Sequence, residues 1–126
     1  MSTKTKGSRF ESEVCRYHRD RGWSAWRVLP SENTANGEAR GAGTFDVIAI
    51  KTHEQFYATI RLLECKATKA GPFNGFGPAQ REALLVEAER MRNDSVPALK
   101  VQAMLAWKKP RQGIVLIPSS DWPSTD

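Results

Sequence analysis

The chain has 126 residues, 40% of them hydrophobic and 26% charged, which suits one domain spanning 1–126 and is too short for a two-domain enzyme. No apolar run approaches the roughly 20 residues of a membrane span, and the basic start MSTKTKGSR has no apolar stretch behind it to make a signal peptide, so a cytoplasmic protein is expected. The formal net charge is +5 and the pI about 9.5, a balance that suits a polyanion such as nucleic acid but also suits plain solubility.

In chain order, residues 1–7 read as a flexible basic arm. A helix is expected from Ser8, because Ser8-Arg9-Phe10-Glu11 matches the S-x-x-E capping box. Phe10, Val14 and Tyr17 give that helix an apolar stripe, and Gly22 is its stop signal. Trp23 to Leu29 reads as a strand, with Trp23 and Trp26 on opposite faces. Residues 30–43 are turn formers and make a long loop. Thr44 to Ile50 is a second strand, and Phe56 to Ala67 a third. The polar link 51–55 suggests a hairpin between them. A glycine-rich turn follows at Ala70–Gly77. Pro78 opens a second helix running to about Asn93, with Leu84, Leu85, Ala88 and Met91 on one face. Leu99 to Trp107 is a fourth strand, Lys108–Gln112 a basic turn, and Gly113 to Ile117 a fifth strand. The tail 118–126 reads as loose, except that Trp122 is placed to pack back. The second helix then crosses over between the third and fourth strands, giving an α/β domain with a mixed sheet.

Three charged residues sit in otherwise apolar strands. Asp46 opens the second strand, and Glu64 and Lys66 stand near the end of the third, two apart and therefore on one face. Burying charge is costly unless it is paired or bound to metal. If Asp46 and Glu64 converge, they offer oxygen ligands to Mg²⁺, and Lys66 offers a cation to a developing negative charge. With a turn near 50–56 the two acids stand at unequal distances from it, so a bulge or slip is needed to bring them opposite. Glu-x-Lys alone is usually a surface ion pair, and Glu11 is explained as the third residue of a capping box. Cys15 and Cys65 form no CxxC pair and have no histidine at ligand spacing, which argues against zinc; both read as reduced cysteines. His18 and His53 read as surface polar residues. Lys4, Arg16 and Arg19 belong to a basic N-terminal quarter with phosphate-binding potential. Phe73 and Phe76 suit stacking, an interface or the core edge.

Lys6-Gly7-Ser8-Arg9-Phe10-Glu11, Arg27-Val28, Phe45-Asp46-Val47-Ile48-Ala49 and Leu63-Glu64-Cys65-Lys66-Ala67-Thr68-Lys69, in this order, resemble the archaeal-type Holliday junction resolvases of the PD-(D/E)xK nuclease superfamily. The resemblance covers about residues 6–117. It implies a restriction-endonuclease-like mixed five-stranded sheet flanked by helices. It also implies a homodimeric endonuclease that resolves four-way DNA junctions by hydrolysing a phosphodiester in each of two strands. The implied catalytic set is Glu11, Asp46, Glu64 and Lys66. The implied ligands of Mg²⁺, for which Mn²⁺ substitutes, are Asp46, Glu64, Glu11 and the backbone carbonyl of Cys65. The implied DNA contacts are Lys6, Arg9, Arg27, Ser31, Arg40, Lys69 and Gln80. Branched DNA and a second copy of the chain are the expected partners, with no membrane and no small-molecule cofactor. Ser12 and Phe45 stand where the family often has arginine and proline, and the loop 30–43 is longer than usual. Two rivals share most of these features: a nuclease of the same superfamily with another DNA substrate, and a non-catalytic junction-binding protein.

Overall fold

The computed structural model describes residues 3–28, 44–54, 57–94 and 99–124, with side chains from residue 8 onward. The loop 30–43, with Ser31 and Arg40, lies outside the described residues, as does the Lys6 side chain. Helix α1 spans Thr3–Arg19. It begins five residues before Ser8, so the helix replaces the expected basic arm and the expected capping box does not exist. Ser8 sits inside the helix and its hydroxyl accepts a hydrogen bond from Arg27 at 3.0 Å. The helix ends as expected. Gly22 has φ +88°, its N–H donates to Arg19 O and the Trp23 N–H to His18 O, the paired bonds of a Schellman motif.

Strands β1 (Ser24–Arg27), β2 (Val47–Thr52), β3 (Ala58–Ala67), β4 (Leu99–Lys108) and β5 (Val115–Pro118) form one sheet in the order β1-β2-β3-β4-β5. All neighbours are antiparallel except β3 and β4, which are parallel and joined through helix α2 (Pro78–Asp94). β2 starts three residues later than expected and runs on to Thr52. β5 starts two residues later. A short 3-10 turn at Ser119–Asp121 follows, and Trp122 donates from Nε1 to Ile117 O at 2.9 Å and packs edge-on against Phe76. Through Trp122 the tail is therefore docked rather than loose.

The strand period of two divides the core. Phe10, Val14 and Cys15 of α1 pack on Val47, Leu63 and Met104 on one face. Leu84 and Ala88 of α2, with Phe76, pack on Ile60, Leu62 and Leu105 on the other. Phe76 thus fills the core. Leu85 of the expected α2 stripe is instead partly exposed. His18 is fully buried, contrary to the surface reading. It bonds Val14 O at 2.9 Å through Nδ1 and meets Arg61 at 3.2 Å through Nε2. Burial holds its pKa below the usual imidazole value, with neighbouring Arg61 and Arg21 also opposing a second charge. Among the described residues, no helix is long and apolar enough to cross a membrane.

Leu62 and Leu105 are fully buried on the α2 face. Truncating either to alanine is expected to cost about 2–5 kcal/mol. Urea unfolding checks this: the midpoint should fall while the slope stays near that of the parent chain.

Candidate active site

One end of the sheet gathers the charged residues. The β2–β3 ladder runs without a break from Thr52↔Ala58 to Val47↔Leu63. Beyond Val47 the ladder breaks: Asp46 lies in a bend and its N–H reaches Leu63 O, so Asp46 and Val47 both stand against Leu63, as in a β-bulge. The expected bulge therefore forms, and with it the Asp46 carboxylate meets that of Glu64, which shares its strand face with Lys66. The backbone of Asp46 is fixed on both sides. Its N–H donates to Leu63 O at 2.8 Å, and its carbonyl accepts from Val28 N at 2.8 Å.

The side chains are equally constrained. Asp46 Oδ2 accepts a hydrogen bond from the Cys65 N–H at 2.9 Å, which aims the carboxylate across the strand. Lys66 Nζ lies 3.5 Å from Glu64 Oε1, with side-chain exposures of 26% and 13%. The glycine-rich turn comes over this pair. Gly75 has φ +82°, and a Cβ there would lie 3.8 Å from Lys66 Nζ. Buried Phe76 anchors the turn beside it.

Burial, and after it the facing Asp46 carboxylate, push the Glu64 carboxyl up to about 8; the Lys66 ammonium opposes this but does not prevail. Glu11 is also raised, by burial and by Asp46, while Arg27 pulls the other way. Arg27 Nε lies 3.5 Å from Glu11 Oε1. Burial drives the Cys65 thiol well up, and the charges of Asp46, Glu11 and Glu64 push it the same way. The three carboxylates therefore surround the Cys65 position.

The structure brings Asp46, Glu64 and Lys66 together and sets Glu11 beside them with Arg27 as its tether. Among the described residues, no three His, Cys, Asp or Glu side chains close into a metal cage. The donor set nevertheless fits a hard divalent cation: two carboxylates meet in a sheltered place where each raises the cost of the other's charge, and a bound cation would relieve that cost. Arg9 and Lys69 are exposed near the same end of the sheet. Gln80 is not gathered in. Its Oε1 accepts from Gly77 N at 3.3 Å, which caps the first turn of α2. The Cys65 amide that orients Asp46 gave no signal in the sequence, since a backbone donor leaves none. Gly75 was visible only as part of a glycine-rich turn.

A family model described as archaeal Holliday junction resolvase (Hjc) matches residues 2–125. No curated protein matches the sequence. Among solved structures, the chain is similar to Archaeoglobus fulgidus Hjc, a Holliday junction resolvase from an archaeal hyperthermophile. The TM-score is 0.63 at 21% identity, over 90% of this chain and 78% of that one. The mixed five-stranded sheet with its two helices is a restriction-endonuclease-like fold.

Glu64 supports a prediction about the metal-free protein. Its folded pKa lies above its ordinary value of 4.5. Below 4.5 folded and unfolded chains both carry the proton. Above it only the folded chain does, so stability falls as pH rises from 4.5 towards about 8 and levels off beyond. In EDTA the thermal midpoint should drop across that window, and Glu64→Gln should flatten the drop. Equal slopes in both proteins would contradict the assignment.

Proposed function

The chain belongs to the archaeal Holliday junction resolvase family, and on that premise we propose that it is a metal-dependent endonuclease cutting four-way DNA junctions. The observation that carries the reading is the meeting of the Asp46 and Glu64 carboxylates, with Lys66 paired to Glu64. A pure junction binder gains nothing from two carboxylates buried against each other, and phosphates would be repelled by them. A nuclease needs that arrangement.

The residues divide the work as follows. Asp46 and Glu64, with the Cys65 carbonyl and Glu11 beside them, would hold Mg²⁺ or Mn²⁺. When bound, such an ion polarises a phosphate oxygen and lowers the pKa of a water. Asp46 keeps its orientation through the Cys65 N–H, so one carboxylate oxygen stays directed into the site. Lys66 offers its ammonium to the charge that builds on the phosphate. Arg27 holds Glu11 in place and Ser8 steadies Arg27. Water attacks phosphorus, a P–O ester bond breaks, and one phosphodiester is lost in each of two strands.

Two symmetrical cuts call for two sites, so the acting species is a homodimer. Light scattering should give twice the 14.1 kDa chain mass.

Labelled four-way junctions and linear duplex, incubated with Mg²⁺ or with EDTA, test the activity. Junctions should be cut in Mg²⁺ and spared in EDTA. Asp46→Ala and Lys66→Ala should each lower cleavage on the order of a hundred- to a thousandfold while junction binding persists. Absence of Mg²⁺-dependent cutting would sink the enzyme reading. Equal cutting of linear duplex would leave a nuclease of the same superfamily with a broader substrate.

A further inference from the structure

At the carboxylate end of the sheet, the turn from β4 to β5 carries charge that the proposed chemistry does not use. Gln112 N donates to Lys109 O at 3.1 Å and closes the turn Lys109-Pro110-Arg111-Gln112. Proline stands at its second position, and Arg111 at the third has φ +66°, the pattern of a type II turn. Glycine or asparagine is favoured there. Arg111 is the one non-glycine residue with positive φ among the described residues. A strained position that carries a long cation at an exposed tip points to a use for the cation.

Two shallow grooves meet at this turn. One runs between Arg9, Ala67 and Arg111, the other between Lys69, Lys109 and Arg111. Arg9, Lys69, Lys109 and Arg111 are all exposed. The one acid lining either groove, Glu13, is already paired with Lys108 at 2.8 Å. Lys109 Nζ lies 5.5 Å above the Trp107 ring, which props it at the rim. Ala67 ends the strand that carries Glu64 and Lys66, so the grooves open at the same end of the sheet as the carboxylate pair, which does not line them. Exposed cations in line along an open groove match the repeated charges of a nucleic-acid backbone, whereas a small anion would call for an enclosed site.

We propose that the β4–β5 turn is a phosphate clamp for duplex DNA, in which Lys109 and Arg111, with Lys69 across the groove, hold the backbone of the arm next to the cut. This rests on the nuclease reading above for its substrate class. The clamp reads no bases and sets how the arm enters the site.

Fluorescence anisotropy in EDTA, with labelled junction and labelled linear duplex over a series of KCl concentrations, tests it. The variant is Lys109→Gln with Arg111→Gly; glycine accepts the positive φ, so the turn is kept. Binding of both DNAs should weaken, and the slope of log affinity against log salt should become shallower by about one to two, at roughly 0.9 per lost phosphate contact. Arg111→Lys, which keeps the charge, should retain the parent slope. Parent-like affinity and slope in the double variant would overturn the clamp. So would a slope in Arg111→Lys as shallow as in the double variant, because the effect would then not lie in the charge. If the parent protein cuts linear duplex as readily as junctions, junction selectivity falls, while a shallower slope in the variant still upholds the clamp.

Discussion

The antiparallel ladder between β2 and β3 ends in a bulge that sets two carboxylates together. Its register holds from the hairpin end to Val47↔Leu63, and there the Asp46 N–H also takes Leu63 O while its carboxylate takes the Cys65 N–H, so Asp46 is held against Glu64. A slip of one residue would turn every side chain of β2 to the other face and bring its buried Val47 and Ala49 out of the α1 core. Hydrophobic burial therefore enforces an arrangement that electrostatics opposes. The opposition is visible in Glu64, whose carboxyl keeps its proton far above the normal range. A fold that only needed stability would place an apolar residue at either position. The strained pair makes sense as a pocket whose complement is a cation.

The surrounding residues sharpen that pocket without relieving it. The Cys65 amide engages one oxygen of Asp46 and thereby fixes the carboxylate's direction. Arg27 neutralises Glu11, the acid nearest on the helix side, and is itself steadied by Ser8. Lys66 is held over Glu64 beside a turn whose φ of +82° at residue 75 calls for glycine. Each contact links the pair to a different element: β3, α1 with β1, and the turn before α2. Loosening any of the three elements would blur the position of a charge.

The apolar pattern made the element order legible: five strands and two helices occur in the expected order, with starts shifted at α1, β2 and β5. The failures were of tertiary origin. Ser8-Arg9-Phe10-Glu11 looks like a helix start, yet the helix extends back to Thr3 and Ser8 serves Arg27 instead. A local motif cannot reveal that a longer helix overrides it. Half of a capping box does form elsewhere, where Gln80 accepts from the Gly77 N–H at the start of α2. The uneven spacing of Asp46 and Glu64 from the hairpin did signal the bulge that forms at Asp46, where its N–H and Val47 share Leu63. His18 looked polar and exposed because nothing in the sequence shows Arg61 and Trp23 closing over it.

Net charge gains meaning once the cations are sorted by what they touch. Arg19 binds the carbonyl of Ala25 and Arg92 that of Val101. Arg81 is buried with its guanidinium on Phe76 O, and Arg61 stacks over Trp23. These arginines tie elements together, so much of the +5 balance has structural employment and says little about a partner. By contrast Lys69, Lys109 and Arg111 border one groove with no acid among its lining residues, at the end of the sheet where the carboxylates lie. A negative metal pocket would repel a phosphodiester on approach unless positive charge stood close by. The basic turn supplies that charge at the correct end of the sheet, so that attraction at the rim and metal binding in the pocket act on the same strand.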